Sequence, residues 1–305
     1  MANVDVLMTV YNGMPYLARS VESVLGQTLR DFRFVIVNDG SNDGTVDYLA
    51  GITDPRVLVF HQANLGTGAA ANHGLKHCKA DFVARMDADD VALPERLEAQ
   101  RDFLIAHPEV GLAGTQVAPL GDRGAGGSLR LPLGHEAIYR AMRAGRHALS
   151  HPSIMFRMTL AQQIGGYWSL QLVDDWDFML RMGEISRLAN LDRVLHLYRV
   201  HEASLTGSGM RRMRFSVDFA CELARRRAAR LPVITPEEFQ ARRDAHGWRQ
   251  RVRDAIDIHS RSQYRAAVAE LYGAHRWRGA ARMTWAAICA PRLTIERLER
   301  IIGRQ

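Results

Sequence analysis

The sequence predicts an α/β domain, with helices on both faces of a sheet, followed by an α-helical C-terminal region. Two observations favour this fold class. Residues 1–115 alternate short apolar runs, typical of buried strands, with segments whose apolar residues recur at helical spacing. After Gly207 only the helical spacing remains. Strands that alternate with helices form a parallel sheet, and such sheets bind ligands beyond the carboxyl ends of their strands.

The elements follow in order along the chain. The four predicted strands of the first part are 4–10, 32–37, 57–60 and 82–86. The helices between them are 15–25, 45–49 and 69–77. Residues 121–128 are glycine-rich and lack a phosphate-loop pattern, which predicts a flexible loop. Farther on, 153–156 and 195–200 are strand-like, and 173–182 predicts a helix. Thr235 and Glu238 predict a capping box at the start of another helix.

Polar side chains follow all four strands, where the carboxyl ends of parallel strands meet at one edge. These segments are 11–13, 38–41, 64–66 and 87–90. The last places Asp87, Asp89 and Asp90 within four positions, and crowded carboxylates oppose one another's ionisation. A hard divalent cation such as Mn²⁺ or Mg²⁺ removes that repulsion. The alternative is a solvated acidic turn before a helix at Pro94. The agreement among four strand ends favours the metal site.

The composition is that of an ordinary globular protein of 305 residues. Cys78, Cys221 and Cys289 lie far apart, so they predict a reducing, cytoplasmic compartment and neither a metal cluster nor a disulfide framework. The sequence shows no signal-peptide pattern and no run long enough to span a membrane.

Charge is unevenly distributed along the chain. Residues 1–200 carry 19 Lys and Arg against 22 Asp and Glu, whereas residues 201–305 carry 21 Arg against 11 Asp and Glu. This asymmetry predicts an anionic partner. Trp277 and Trp285 among these arginines are typical of peripheral binding to an anionic membrane surface. A helical bundle with solvated arginines and self-association into a homo-oligomer are the alternatives. No nucleic-acid partner is expected, because the region lacks stacking aromatic runs and any module signature.

A series of ordered motifs resembles glycosyltransferase family 2, the inverting enzymes with the GT-A fold. The motifs cover roughly residues 3–205: TVYNGMPYLARSVESVLGQT, VNDGSNDGT, NLGTGAAANHGL, ARMDADD with PERLEAQ, HPSIMFR, GGYW with DDWDFMLR, and YRVHEASLT. The resemblance implies a Rossmann-like nucleotide-binding sheet, a nucleotide-sugar donor and a divalent cation. It also assigns roles to matching positions. Thr9, Tyr11 and Asn12 match residues that surround the nucleoside, and Asp39 matches the aspartate that hydrogen-bonds the base.

The remaining matches concern the diphosphate and the chemistry. Asp87 and Asp89 match the Asp-x-Asp pair, which serves nucleotide and metal binding, and the second member ligates the metal on the diphosphate. His201 matches a histidine that approaches the diphosphate. Asp175 matches the catalytic base, and Asp174 stands where the family usually has glutamate.

The acidic start of the predicted helix leaves the choice of base open. Asp174, Asp175 and Asp177 crowd this start, which raises carboxyl pKa values and suits proton abstraction. The alternative role is an N-terminal cap. A further departure from the family is Ala71, where an arginine is usual. Any phosphate or sugar contact of that arginine is absent or supplied elsewhere, and Arg85 is the candidate.

The sequence thus predicts a nucleotide-sugar-binding half (1–115), an acceptor-binding half (116–206) and a basic α-helical region (207–305). The expected function is metal-dependent, inverting transfer of a sugar, from UDP-sugar to a hydroxyl of a saccharide or lipid-linked saccharide, in surface polysaccharide synthesis. The expected location is the cytoplasm, including the inner face of the cell membrane. One alternative is transfer to polyprenyl phosphate, which needs no strong base. Another is a sugar-phosphate nucleotidyltransferase, which would be expected to carry a glycine-rich loop after the first strand.

Overall fold

The computed structural model describes residues 4–121, 124–128, 130–168, 174–200, 207–272 and 276–289. The chain divides into two compact units. The first comprises Met1–Ala118 and Leu131–Tyr198, and the second comprises Pro119–Arg130 and Arg199–Gln305. Most of both predicted halves, 1–115 and 116–206, lies in the first unit, so the boundary between them stays a prediction.

The strands and helices largely alternate along the first unit, and the second unit is mainly helical. The strands are β1 (Val4–Val10), β2 (Arg33–Asp39), β3 (Val57–Gln62), β4 (Phe82–Asp87), β5 (Val91–Ala92), β6 (Val110–Gly121), β7 (Gly124–Ala125), β8 (Met155–Arg157) and β9 (Arg187–Arg199). The helices are α1 (Leu17–Leu25), α2 (Thr45–Ala50), α3 (Thr67–His77), α4 (Arg96–Ala106), α5 (His135–Arg143), α6 (Met158–Gln163), α7 (Asp174–Ile185), α8 (Gly207–Ala228), α9 (Pro236–Asp244), α10 (Trp248–Tyr272) and α11 (Arg276–Cys289).

The sheet is mixed, with the order β3-β2-β1-β4-β8-β6-β9-β5 and β7 paired to the end of β6. The prediction of parallel strands is confirmed for β1 to β4. Beyond β4 the sheet turns antiparallel, because β8 pairs antiparallel with both β4 and β6. The strand predicted at 153–156 is shifted: His151–Ser153 forms a short 3-10 turn, and β8 begins at Met155.

Helices cover both faces of the parallel strands, as the sequence predicts. Met8 of β1 belongs to the same buried cluster as Leu17 and Val21 of α1. Its neighbour Leu7 faces the opposite side, where a Cβ added at Gly74 of α3 would lie 2.2 Å from the Leu7 side chain. Successive side chains of a strand point to opposite faces, and β1, β2 and β4 are buried on both, whereas the edge strand β3 is partly exposed. This double burial fixes the position of the strand ends that carry the candidate site.

The second unit consists mainly of helices α8 to α11. The predicted capping box is confirmed: the Glu238 amide donates to Thr235 Oγ1 (3.2 Å), and the Thr235 amide donates to the Glu238 carboxylate (3.0 Å). The described part of the glycine-rich segment pairs with the end of β6 instead of forming an open loop, and the Gly126 amide donates to the Pro119 carbonyl (2.7 Å). None of the described helices combines the length and apolar character needed to cross a bilayer.

Candidate active site

The carboxyl edge of the parallel strands brings together residues that the sequence assigned to the nucleotide. Thr9 lies beside Asp87 in the register of β1 and β4, and β2 pairs with the other side of β1. Asp39 is the last residue of β2 and lies beside Gln62 of β3. Because parallel strands end on the same side of a sheet, these side chains share one edge.

Asp39 is almost fully buried and holds the loop between β3 and α3. One carboxylate oxygen accepts hydrogen bonds from Gln62 Nε2 (2.7 Å) and the Leu65 amide (2.9 Å), and the other accepts from the Gly66 amide (2.9 Å). About three of the roughly four acceptor positions of a carboxylate are thereby occupied. Gly66 has φ +93°, which glycine adopts without strain. Asp39 therefore shapes this edge before any ligand binds, an anchoring role that the sequence did not indicate.

The loop after β1 is braced against the loop after β2. The Asn12 amide donates to Ser41 Oγ (2.9 Å), and the Asn12 side-chain oxygen accepts from the Asn42 amide (2.9 Å). Asn12 has φ +52°, a left-handed conformation in which asparagine is enriched. The neighbouring Tyr11 is 50% exposed. The braced loop thus presents an aromatic ring to solvent next to the strand ends.

Arg85 is fully buried beneath this edge. Its Nη1 donates to the Leu7 carbonyl (2.9 Å), and its Nη2 lies 3.4 Å from both Thr9 Oγ1 and Asp87 Oδ1. Its Nε has no hydrogen-bond partner among the described residues. The sequence left Arg85 as a candidate to replace the arginine missing at Ala71. Full burial changes that interpretation, since the guanidinium supports Asp87 from below and has no exposed surface of its own.

The Asp87 carboxyl is strongly influenced by its surroundings. Desolvation is the largest cause that raises its pKa to about 7, and the Arg85 guanidinium opposes this shift. The negative charges of Asp90, Asp89 and Asp175 raise the pKa further. The side chain nevertheless keeps 41% of its surface exposed, so solvent or a ligand can reach it. The strand end therefore concentrates negative charge at an accessible position.

Asp90 is buried and turns toward the core, although its negative charge still acts on Asp87. Its oxygen lies 2.7 Å from His196 Nε2, and His196 Nδ1 lies 3.2 Å from Arg96 Nη1. Burial lowers the pKa of His196 well below its usual value and lowers the pKa of Arg96 to about 9. A neutral imidazole that donates to Asp90 and accepts from Arg96 fits these distances. The three crowded carboxylates of the sequence thus leave two, Asp87 and Asp89, at the edge.

Side chains alone do not form a complete set of metal ligands in the described residues. No three His, Cys, Asp or Glu side chains there lie close enough together to hold a metal ion. Asp87 and Asp89 would leave the other coordination positions to ligand oxygens and water, as is usual for hard cations that bind diphosphates. His201, which was predicted to approach the diphosphate, lies outside the described residues.

Asp174, the first residue of α7, docks onto the start of α3. The Gly68 amide donates to its carboxylate, while burial, the largest cause, raises its pKa to about 6. A Cβ at position 68 would lie 2.2 Å from Asp174 Oδ2, so only glycine fits there. The other oxygen, Oδ1, is buried and finds no hydrogen-bond partner in the described part of the chain. This contact brings the acidic helix start next to the loop that Asp39 anchors.

The other two acidic residues of α7 differ in their partners. Asp175 Oδ1 accepts from the Trp176 amide (2.7 Å), and burial raises the Asp175 pKa while the positive charge of Arg85 opposes the rise. Asp177 is buried, and its carboxylate accepts from Arg181 Nε (2.6 Å). That ion pair commits Asp177 to the packing of α7. Asp174 is likewise held, by the Gly68 amide, whereas the hydrogen bond of Asp175 lies within the helix start itself.

Helix α7 is also positioned by contacts that the sequence did not reveal. Asn72 of α3 accepts from the Tyr167 amide (2.8 Å) and donates to the Tyr167 carbonyl (2.7 Å). The Tyr167 ring stacks on Phe178 of α7 with 4.2 Å between ring centroids, and its hydroxyl lies 2.9 Å from His151 Nε2. Asn72 and Tyr167 occur inside the matched motifs, but the pairing joins residues far apart in the sequence.

Two solved structures have folds similar to that of this chain. TarS of S. aureus (residues 1–349, in complex with UDP-GlcNAc) has a TM-score of 0.58 at 16% identity, covering 93% of this chain and 88% of that one. Mannosyltransferase PcManGT from Pyrobaculum calidifontis, in complex with GDP-Man and Mn²⁺, has a TM-score of 0.56 at 17% identity, covering 96% and 79%. At these identities the likeness shows the fold alone, and the predicted GT-A fold with a helical C-terminal region is confirmed.

Curated relatives are more similar in sequence. The amylovoran biosynthesis glycosyltransferase AmsE of Erwinia amylovora is 34% identical over 197 residues, which cover 63% of this chain and 74% of the relative. The O-antigen biosynthesis glycosyltransferase WbnJ of Escherichia coli is 28% identical over 214 residues, which cover 68% and 83%. The model of glycosyl transferase family 2 matches residues 5–165, more than half of the chain. Together with the strand-end carboxylates and the acidic start of α7, this match shows that the chain is a glycosyltransferase and belongs to glycosyltransferase family 2.

Proposed function

We propose that this glycosyltransferase is a metal-dependent, inverting enzyme. It moves a sugar from a UDP-sugar to a hydroxyl of a saccharide or lipid-linked saccharide during assembly of a surface polysaccharide. One observation carries the proposal: Asp39 holds the Gly66 amide (2.9 Å), and the start of α7 contacts Gly68 two residues farther on, so the candidate nucleotide site and the candidate base adjoin the same loop. The names of the relatives and the nucleotide sugars in the similar structures support the class of donor and product.

The nucleotide end of the donor is assigned to the edge of β1 and β2. Asp39 has roughly one acceptor position left after its three hydrogen bonds, which suits the single N–H of a uracil ring. The exposed ring of Tyr11 can stack on the base, and Thr9 and Asn12 border the same edge. The anchored loop fixes Asp39 in place, so the contact with the base requires little rearrangement.

The diphosphate and a divalent cation, Mn²⁺ or Mg²⁺, are assigned to Asp87 and Asp89. The donor set fits such an ion, because crowded carboxylates favour a hard cation and the Asp87 carboxylate is partly exposed at the strand end, where a ligand can reach it. When bound, the cation would act as a Lewis acid on the leaving diphosphate. His201 is proposed to contact the same diphosphate. Arg85 stays below and holds Asp87 toward the ligand.

Asp175 is proposed as the base. As the acceptor hydroxyl attacks the anomeric carbon, the Asp175 carboxylate takes its proton, and the bond to the nucleoside diphosphate breaks on the opposite side of the sugar. A single displacement of this kind inverts the anomeric configuration. Burial raises the pKa of Asp175, which increases its affinity for the proton. Asp174 assists by docking on Gly68, which sets the position of the helix start.

The chemistry of the acceptor decides whether the enzyme needs a base. A saccharide hydroxyl needs the base, whereas a polyprenyl phosphate is already ionised and does not. The family assignment argues against a sugar-phosphate nucleotidyltransferase. The enzyme is proposed to act in the cytoplasm, including the inner face of the cell membrane, where nucleotide sugars and lipid-linked acceptors meet.

We expect UDP binding to require the cation and Asp89. In calorimetry, wild type should bind UDP at least ~10-fold more weakly in excess chelator than with Mn²⁺, because the diphosphate then faces unscreened carboxylates. Asp89→Asn should bind equally weakly under both conditions. Asp81→Asn, at the opposite end of β4, is the matched control and should retain the dependence. Unchanged UDP affinity of wild type in chelator would exclude a metal-dependent site.

Asp39→Asn should lower both stability and nucleotide affinity. The amide group of asparagine would face backbone N–H donors, leaving a buried donor unsatisfied, so we expect a loss of about 1–3 kcal/mol in the free energy of unfolding. Denaturant unfolding and UDP calorimetry of the folded fraction measure the two effects. The control is Asp47→Asn, an exposed change on α2. Full UDP affinity in a folded Asp39→Asn protein would contradict the contact with the base.

Asp175→Asn should keep donor affinity and lose turnover, with kcat reduced by at least ~10²-fold, the usual scale for a general base. The assay is UDP release from the nucleotide sugar that gives the largest thermal stabilisation in a screen. Asp177→Asn should mainly lower stability, because it weakens the ion pair with Arg181. A larger kcat loss in folded Asp174→Asn or Asp177→Asn than in Asp175→Asn would show that Asp175 is not the base. Full activity of all three variants would favour the polyprenyl phosphate acceptor.

A further inference from the structure

Helices α10 and α11 form an antiparallel hairpin whose seam includes several small residues. Ser260 Oγ donates to the Ala286 carbonyl (3.0 Å) near one end. Near the other end, a Cβ at Gly279 would lie 2.8 Å from the Ala267 carbonyl oxygen. Small residues at a helix seam allow the two helices to approach closely.

Large apolar side chains form a stripe along the first half of α10. Trp248, Val252 and Ile256 are all exposed, and they are four residues apart. Residues at this spacing lie on the same side of a helix, one turn above the next. His259 extends the stripe by a further three residues and is also exposed.

A second stripe lies on α11 and meets the first. Trp277, Trp285 and Ile288 are exposed, and Trp277 keeps 73% of its surface in water. Their spacings of eight and three residues return to the same side of a helix. Trp285 Nε1 donates to His259 Nε2 (3.3 Å), which joins the two stripes. We call these residues the tryptophan face: Trp248, Val252, Ile256, His259, Trp277, Trp285 and Ile288.

Positive charge surrounds the tryptophan face. The Arg249 guanidinium lies 5.6 Å from the ring centre of Trp248, and the Arg278 guanidinium lies 5.5 Å from that of Trp277. Arg251 and Arg253 are exposed on α10. The hairpin carries fewer acidic than basic side chains, and the acidic ones are themselves paired, as Asp257 is with Arg261 of its own helix at 2.7 Å. The surplus charge available to a partner is therefore positive.

We propose that the tryptophan face binds an anionic lipid surface. Indole rings favour the boundary between water and acyl chains, because they join a large apolar body to one N–H donor. Arginines beside them reach anionic headgroups, and each basic residue near such a surface strengthens binding by about fivefold. The inference does not depend on the proposed sugar transfer, since it concerns helices that carry none of the candidate site residues.

Charge decides between a lipid surface and a second copy of the chain. Two tryptophan faces brought together would oppose arginine to arginine, and like charges across an interface weaken association. An anionic bilayer supplies the opposite charge over an area larger than the face. It also accepts the scattered apolar side chains without requiring a complementary shape.

The test is co-sedimentation of the full chain with vesicles of phosphatidylglycerol and phosphatidylcholine. We expect binding at low salt and weakening as salt shortens the screening length. The triple variant Trp248→Ser, Trp277→Ser and Trp285→Ser should bind at least ~10-fold more weakly, because it loses the apolar insertion. The double variant Arg249→Glu and Arg278→Glu should lose at least ~10-fold through the lost headgroup contacts.

Matched controls separate this face from exposed apolar surface in general. Leu231→Ser with Val233→Ser removes two exposed apolar side chains of the same unit and should bind like wild type. Circular dichroism checks that all variants keep their helices. Absence of wild-type binding at low salt would overturn the proposal, as would equal losses in the triple variant and this control. A fall in solution mass from dimer to monomer in the triple variant, without lipid, would overturn it in favour of self-association.

Discussion

The candidate site depends on the contacts of one buried group, the guanidinium of Arg85. It has no exposed surface, yet it joins the main chain of β1 at Leu7 to the side chains of Thr9 and Asp87. Its positive charge lowers the pKa of Asp87 and of Asp175, opposing the desolvation of both. Without this cation, the mutual repulsion of the carboxylates would raise their pKa values further. The protein thus carries a fixed positive charge beneath the proposed site of the metal and the diphosphate.

A second constraint is the close docking of α7 on α3. Gly68 allows the Asp174 carboxylate to approach the start of α3, and Asn72 holds both main-chain groups of Tyr167. Tyr167 in turn stacks on Phe178 of α7. These contacts place the acidic helix start by packing within one compact unit. The proposed base is therefore positioned by rigid elements, which is what a general base needs to meet an acceptor hydroxyl at the correct distance.

The sequence predicted the parts of the fold that follow from local periodicity. Strands β1, β2 and β4 are buried on both faces and read as apolar runs, the edge strand β3 is partly buried, and α1 and α3 show helical spacing. Strand β6 was not predicted, because its glycines and proline are poor strand formers and only tertiary pairing makes it a strand. The antiparallel half of the sheet depends on such long-range pairing. Motif resemblance identified the strand-end residues, but it could not show that Asp90 binds His196, which lies far along the chain.

The central claim is that Arg85 organises the nucleotide side of the site and does more than fill the core. Calorimetry of UDP with saturating Mn²⁺ tests it directly in wild type, Arg85→Met and Arg157→Met. Arg157 is the matched control, because its guanidinium also donates to main-chain carbonyls, at Leu104 (2.6 Å) and Val110 (2.9 Å). With concentrations corrected for the folded fraction, we expect UDP affinity to fall at least ~10-fold in Arg85→Met. The variant loses the charge-assisted contact between Arg85 and Asp87, and the loss of such a contact changes an equilibrium by about that factor. Arg157→Met should stay close to wild type. Equal UDP affinity in folded Arg85→Met and wild type would contradict the claim.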